Sequence, residues 1–228
     1  MKPKKAYFTL TIFFLLLTVT ISAQKNNVGN WLIYFGNQKI NNKWNWHNEL
    51  QYRNFNFLGD VNQLIVRTGI GYNLTENNNN ILLGYGFINS QKYISNSNEK
   101  VGTNEHRIYQ QFITKQSFTK VFLQHRYRIE ERFLPKDFQM RFRYFLGINI
   151  PINKPKIEKN AFYLSAYNEI FINAQQNIFD RNRLYGAIGY VFNKNIKMEG
   201  GYMAQTLATS NSNQFQIVVF NNIPFNNN

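Results

Sequence analysis

The sequence has no cysteine and only three aspartates among its 228 residues. A chain without cysteine forms no disulfide and no thiolate centre, so its stability must come from packing and from backbone hydrogen bonds. Beyond residue 23 no apolar run reaches the roughly 20 residues that a membrane-spanning helix needs. The mean hydropathy of the chain is also negative. These absences argue against a disulfide scaffold and against a helical membrane protein.

The N-terminal segment predicts export. Three lysines lie within the first five residues, and an apolar run over residues 7–21 and the small-residue pair Ser22-Ala23 follow them. This is the pattern of a secretory signal peptide over residues 1–23. It leaves residues 24–228 as a single domain. A retained N-terminal anchor is the alternative, but the apolar run is short for a spanning helix.

The remainder of the chain divides into segments with apolar or aromatic side chains at alternate positions. This period of two predicts β-strands, and the segments match the roughly 9 to 11 residues that cross a membrane at a tilt. Eleven candidate strands follow, over residues 31–40, 44–57, 62–74, 81–91, 104–115, 120–133, 138–150, 161–172, 181–192, 196–206 and 213–222. Bacterial single-chain barrels generally have an even number of strands. The prediction is therefore an all-β, antiparallel up-and-down transmembrane β-barrel of ten or twelve strands, with the first candidate doubtful.

The placement of charge favours a barrel over a soluble sandwich. All ten arginines lie within candidate strands, in the phase opposite to the apolar residues, whereas most lysines lie in the N-terminal segment, turns and loops. Arginine suits enclosed, bidentate pairing with carboxylates. We therefore predict an Arg/Glu-lined interior, whose ionic network comprises Glu49, Arg53, Arg67, Glu105, Arg107, Arg126, Arg128, Glu130, Arg132, Arg141, Arg143, Glu169, Arg181, Arg183 and Glu199. A solvated charged face of a soluble protein is the alternative.

Glycines share the predicted inward phase. Missing side chains there would make room for arginines from neighbouring strands and ease curvature. The glycines concerned are Gly69, Gly71, Gly84, Gly86, Gly147, Gly189 and Gly201.

The three aspartates, Asp60, Asp137 and Asp180, all fall at one predicted end of the barrel, and many lysines fall at the other. Longer loops normally face the outside and shorter turns the periplasm, which assigns the aspartates to an outer rim. Such a rim is a candidate site for a divalent cation shared with lipopolysaccharide phosphates, because hard cations prefer oxygen ligands. Solvated loop aspartates are the simpler interpretation.

Catalytic residues are poorly supported. A lipid hydrolase or acyltransferase needs a nucleophile, a base and an orienting group within hydrogen-bonding reach. His125 is the best candidate because it has the lipid-facing phase amid apolar residues. However, His47 and Ser165 have the inward phase, on two different strands, and His106 lies toward the outer end. No triad forms from these positions. Without cysteine or paired histidines we expect no metal and no cofactor.

Five fragments carry a resemblance to a known family. They are Gln124–Phe133, Arg141–Tyr144, Asn168–Phe171, Asn182–Tyr185 and Gly201–Met203, which occur in this order. The chain resembles the outer-membrane β-barrel family known as domain of unknown function 2490, which is common in Bacteroidetes. The resemblance implies a fold and an outer-membrane location, and it offers no activity to transfer. One departure is that Phe225 is followed by three asparagines, whereas barrel proteins often end on an aromatic residue.

These observations predict an outer-membrane barrel that is structural or forms a narrow, porin-like pore favouring anions. A lipid-modifying enzyme and an envelope-anchoring protein are the alternatives. The expected partners are outer-membrane lipid and lipopolysaccharide, and the barrel-assembly machinery during biogenesis. Nucleic acid is not expected, because the basic residues form no exposed stripe with interleaved aromatics.

Overall fold

The computed structural model describes residues 28–75, 78–175 and 177–225. The predicted signal peptide and its cleavage site lie outside the described residues. Within the described ranges, no helix is long and apolar enough to cross a membrane.

Over the residues that the structure describes, the fold is one closed β-barrel of eleven strands. The strands are β1 (Gly29–Lys39), β2 (Trp44–Asn54), β3 (Val61–Asn73), β4 (Asn79–Tyr93), β5 (Lys100–Phe118), β6 (Val121–Leu134), β7 (Asp137–Pro151), β8 (Phe162–Asn173), β9 (Phe179–Val191), β10 (Ile196–Leu207) and β11 (Asn211–Asn221). Each of the eleven candidate segments forms a strand, including the doubted first one. The all-β barrel is confirmed, and the preference for an even number of strands is wrong.

The barrel closes through a parallel seam. Strands β1 and β11 pair in parallel from Gly29 opposite Gln214 to Gly36 opposite Asn221, whereas all other neighbours are antiparallel. With an odd number of alternating strands, the first and last run in the same direction, so their ladder has to be parallel. The expectation of a fully antiparallel barrel is therefore wrong at this seam. Periodicity within single strands carries no information on whether their number is even.

Side chains alternate along the strands, so that charged groups point into the barrel and apolar groups point outward. On β6, Arg128 and Glu130 are 4% and 0% exposed, whereas Tyr127 and Ile129 between them are 48% and 38% exposed. The predicted Arg/Glu ion pairs are buried in the lumen. The ionic interior is confirmed for this part of the wall.

The two ends of the barrel differ in charge but not in loop length. The aspartate end carries the connections 55–60, 94–99, 135–136, 174–178 and 208–210, and the lysine end carries 40–43, 74–78, 119–120, 152–161 and 192–195. The expected length difference is wrong, because the longest connection, 152–161, lies at the lysine end. Loop length therefore favours neither end as the outer one.

Part of the interior is apolar rather than ionic. Trp31, Ile33, Tyr185, Met203 and Val218 form a buried cluster that joins β1, β9, β10 and β11. We call this cluster the apolar sector, and the arginine and carboxylate side chains inside β2 to β9 the ionic sector. The prediction of a purely ionic lining missed the apolar sector, because an inward apolar residue has no signature of its own in a single strand.

Two of the seven inward glycines make room for tyrosine rings. A Cβ on Gly84 would lie 2.3 Å from the Tyr109 ring, and one on Gly189 would lie 2.1 Å from the Tyr163 ring. Gly86 lies beneath Arg67, as the sequence suggested for the whole set. The expectation that arginines fill the glycine positions is thus correct at Gly86 but wrong at Gly84 and Gly189.

Candidate functional site

The ionic sector centres on Glu130, whose side chain is fully buried. Its carboxylate accepts hydrogen bonds from Arg141 Nη2 at 2.5 Å and from Arg143 Nη1 at 2.5 Å. Arg107 Nη1 and Arg128 Nη1 lie 3.7 Å and 3.5 Å from its oxygens. One carboxylate therefore holds four guanidinium groups together in the middle of the lumen.

A second carboxylate, Glu169, links neighbouring strands across the wall. It accepts hydrogen bonds from Arg126 Nη2 at 2.8 Å and from Arg143 Nη2 at 2.6 Å. Arg183 Nη1 lies farther away, at 3.9 Å from Oε2. Arg143 therefore bridges the two central carboxylates, and Arg183 has only a weak ionic contact with Glu169.

Two further acids complete the network. Glu105 accepts bidentate bonds from Arg107, at 2.6 and 2.9 Å, and is also bonded by Arg132 Nε at 2.6 Å. Glu49 pairs with Arg67. Bidentate pairing of this kind is what the fork of a guanidinium group favours in an enclosed site.

Neutral glutamines hold two arginines that have no close carboxylate within the described part of the chain. Arg53 donates to Gln51 Oε1 from Nε at 2.8 Å and to Gln63 Oε1 from Nη1 at 2.9 Å. Arg183 donates from Nε to Gln205 Oε1 at 2.8 Å. An amide oxygen orients a guanidinium group but leaves its charge uncompensated. Both arginines are buried, at 6% and 7% exposure.

These two arginines line a vestibule at the aspartate end of the lumen. The cavity has a volume of about 760 Å³, and its wall includes Trp31, Arg53, Phe171 and Arg183. The guanidinium carbons of Arg53 and Arg183 lie 3.6 and 5.0 Å from the centroid of the Trp31 ring. Arg183 also lies 4.6 Å from the centroid of Phe171. The aromatic rings thus fix the arginines by cation–π contact.

Two β-bulges shape the mouth of this vestibule. The β2–β3 register shifts next to Arg53, and the β8–β9 register shifts next to Phe171, so that Asp180 has no partner in the ladder. Bulges re-aim side chains near barrel rims and sites. Asp180 turns toward the lumen and accepts a hydrogen bond from Arg141 Nη1 at 2.7 Å.

Side chains fill the lumen below the vestibule. Tyr109, Glu130, Tyr163 and Met203, which come from four different strands, are all 0% exposed inside the barrel, and we call them the closing residues. Tyr163 lies at the lysine end of β8, where its hydroxyl donates to Glu199 at 2.9 Å. These buried side chains pack the interior beyond the vestibule.

The predicted network residues lie on the inner wall. Twelve of the fifteen are buried, and Arg126, Arg132 and Arg181 are half-buried. Glu199 lies apart from the arginines, beside Tyr163 and toward the lysine end. Sequence reasoning predicted arginine–glutamine hydrogen bonds in the lumen but did not single out these glutamines, and it missed the aromatic residues of the vestibule. They carry a usable signal, because Gln51, Gln63, Gln205, Trp31 and Phe171 share the inward phase of their strands.

The aspartate rim does not assemble into a cation site. Asp60 is engaged by Lys100 and accepts a hydrogen bond from the Tyr93 hydroxyl at 2.9 Å, and Asp137 accepts one from Gln139 at 2.7 Å. Partial desolvation acts to raise the pKa of Asp60, but the bonds from Lys100 and Tyr93 prevail and lower it. In the part of the chain that the structure describes, no three His, Cys, Asp or Glu side chains form a metal-binding group.

The candidate catalytic residues are not brought together. His125 and the Tyr144 hydroxyl are 2.9 Å apart on the outer face, and His106 lies 2.6 Å from the Tyr85 hydroxyl. His47 lies inside, with Nε2 3.6 Å from Glu49. Ser165 lies on β8, and its side chain has no hydrogen bond to a histidine among the described contacts. His125 thus pairs with a tyrosine and not with a nucleophile.

These features define a class of protein: a closed β-barrel with apolar residues on its outer wall and paired charges within. The chain belongs to the family described as "Protein of unknown function (DUF2490)", whose model matches residues 28–216. The resemblance seen in the sequence fragments is confirmed. No curated protein and no solved structure matches the chain.

Proposed function

We propose that this chain is an outer-membrane β-barrel whose own side chains close its lumen, so that its role is structural rather than that of an open diffusion pore. The observation that carries the proposal is the full burial of the closing residues Tyr109, Glu130, Tyr163 and Met203 inside the barrel. A barrel of this size has an interior that side chains are able to fill.

The outer wall supports the membrane location. Leu83, Leu184 and Ile188 are 60%, 60% and 59% exposed, and they point away from the lumen. Exposing these apolar side chains to water costs free energy, whereas contact with lipid does not. Outer-membrane lipid and lipopolysaccharide are accordingly the proposed surroundings, and barrel-assembly machinery is the proposed partner during insertion. The arginines face inward, which argues against nucleic acid as a partner.

A narrow anion pathway is the second candidate. The arginines of the vestibule favour it, since among the described residues the ionic sector holds ten arginines but only five carboxylates, namely Glu49, Glu105, Glu130, Glu169 and Asp180. A pathway would require the closing residues to move. An enzymatic role has no such support, because His125 and Ser165 lie on opposite faces of the wall.

Planar-bilayer recordings test the closed lumen. We expect no steady conductance from the wild-type barrel. The double variant Tyr109→Ala with Met203→Ala is expected to conduct and to prefer anions, because it removes two of the closing side chains. The paired control Tyr127→Ala with Tyr202→Ala removes similar volume from the outer wall and should not conduct. A stable open channel in the wild type would overturn the structural role.

Cell fractionation tests the location separately. The chain expressed with its N-terminal segment in a Gram-negative host should be recovered in the outer-membrane fraction as a heat-modifiable band. Recovery in the soluble periplasmic fraction would reject the membrane proposal.

A further inference from the structure

We propose that Arg53, Arg183 and Trp31 form a binding site in the vestibule for a compact, water-soluble oxyanion of the phosphate or carboxylate class. This inference goes beyond the closed structural barrel, because it assigns a ligand to one mouth of the lumen. It does not depend on where in the cell the barrel resides.

The first step is that two buried arginines lack the close carboxylate partners that the other buried arginines have. A buried charge is costly unless an opposite charge pairs with it, and arginine does not escape the cost by losing its proton. The central arginines are paired with Glu130, Glu169 or Glu105. Among the residues that the structure describes, Arg53 has only glutamine oxygens as hydrogen-bond partners, and Arg183 has Gln205 with a carboxylate no nearer than 3.9 Å. An anion in the vestibule would supply the missing charge.

The second step is the choice of glutamine at these positions. Glutamate in place of Gln63 or Gln205 would hold the same arginines and also neutralise them, as Glu105 does for Arg107. A glutamine oxygen orients the guanidinium group by a hydrogen bond but does not neutralise it, so the positive charge of the arginine remains available to a ligand. Each glutamine is itself oriented, since Gln63 donates to Ser90 at 2.8 Å and Gln205 to Ser212 at 3.2 Å. The arginines are therefore held in place before a ligand arrives.

The third step is the shape of the site. Both guanidinium groups lie within 5.0 Å of the Trp31 centroid and face a cavity of about 760 Å³. A guanidinium fork matches the paired oxygens of phosphate and carboxylate groups. The arginines face the lumen and not the lipid, which favours a soluble anion over a lipid headgroup.

The test measures anion binding to the folded mature chain in neutral detergent micelles at low ionic strength. Titration calorimetry with inorganic phosphate and with succinate should give saturable binding that weakens as salt is added. R53Q and R183Q should each weaken binding roughly tenfold, the loss expected for a charge-assisted hydrogen bond. K43Q removes the same charge from an exposed turn at the lysine end and should leave the affinity unchanged.

Q63E and Q205E keep the test valid if an arginine variant fails to fold. Each supplies an internal counter-ion of nearly the same shape, and Ser90 or Ser212 is able to donate its hydroxyl to the new carboxylate. We expect weaker phosphate and succinate binding with no loss of thermal stability. Unchanged affinity in both R183Q and Q205E, or no saturable binding to the folded wild type, would overturn the proposal.

Anionic phospholipid added to the micelles tests the other source of phosphate. A soluble ligand site predicts that the lipid does not displace bound inorganic phosphate. Displacement would assign the site to a headgroup and contradict the soluble-ligand proposal. Because no arm of this experiment measures conductance or location, its failure is distinguishable from failure of the proposed function.

Discussion

The ionic and apolar sectors close the same lumen by different physical means. In the ionic sector, Glu130 organises four arginines, and its charge and theirs depend on one another at defined distances. In the apolar sector, Met203 packs among Trp31, Tyr185 and Val218, and contact depends on shape alone. Removing one ion leaves others unpaired, whereas removing one apolar side chain leaves a cavity. The ionic sector should therefore tolerate substitution less well.

The largest expected effect is that of Glu130→Gln. Four guanidinium groups would lose their shared negative charge, and breaking a buried pair in this way costs about 3–5 kcal/mol. Urea unfolding in lipid vesicles would measure the loss. Glu131→Gln is the matched control, since this neighbour has the outward phase and contacts Gln110 at 3.3 Å. Equal stability of the two variants would contradict the proposed importance of the ionic sector.

Met203→Ala tests the apolar sector by the same measurement. Truncation of a fully buried methionine is expected to cost about 2–5 kcal/mol, depending on how far Tyr185 and Val218 relax into the space. Met203→Leu roughly conserves the volume and should cost less than about 1.5 kcal/mol. If Met203→Ala were more damaging than Glu130→Gln, the ranking of the two sectors would be reversed.

At two places in the lumen a tyrosine ring packs directly on a glycine. The substitutions Gly84→Ala and Gly189→Ala test how much this packing contributes to stability. The added Cβ would meet Tyr109 at 2.3 Å or Tyr163 at 2.1 Å, and overpacking of this kind costs about 1–3 kcal/mol. Gly186→Ala and Gly200→Ala are controls, because a Cβ there meets open space. Similar losses in all four variants would show that the ring contacts are unimportant.

The smallest effect concerns Asp60, whose pairing with Lys100 at the rim is a half-buried counterpart of the buried network. Its pKa is lowered in the folded state, so its stabilising contribution is present above the unfolded-state pKa and is lost as the pH falls through the folded-state pKa. Asp60→Asn should remove this acid-side component while changing neutral-pH stability less than the other substitutions do. Thermal midpoints measured across the acid range would show it. An unaltered pH profile would mean that the contact is too solvated to matter.

Much of the fold was determined by the sequence itself. Alternation of polar and apolar residues is a local property of a strand, so it located all eleven strands and assigned Arg128 and Tyr127 to opposite faces. The confinement of arginines to one phase likewise predicted the buried network around Glu130. The family resemblance rested on strand fragments of the same kind.

Only the tertiary structure decided how these strands meet. The parallel β1–β11 seam depends on the odd number of strands, the apolar sector on bringing Trp31 beside Met203, and the vestibule on bringing Arg183 to the ring that Arg53 also covers. The bulge that turns Asp180 inward breaks the period of two that the sequence suggests. These features are contacts between distant segments, and a pattern within one strand fixes the direction of a side chain but not its partner.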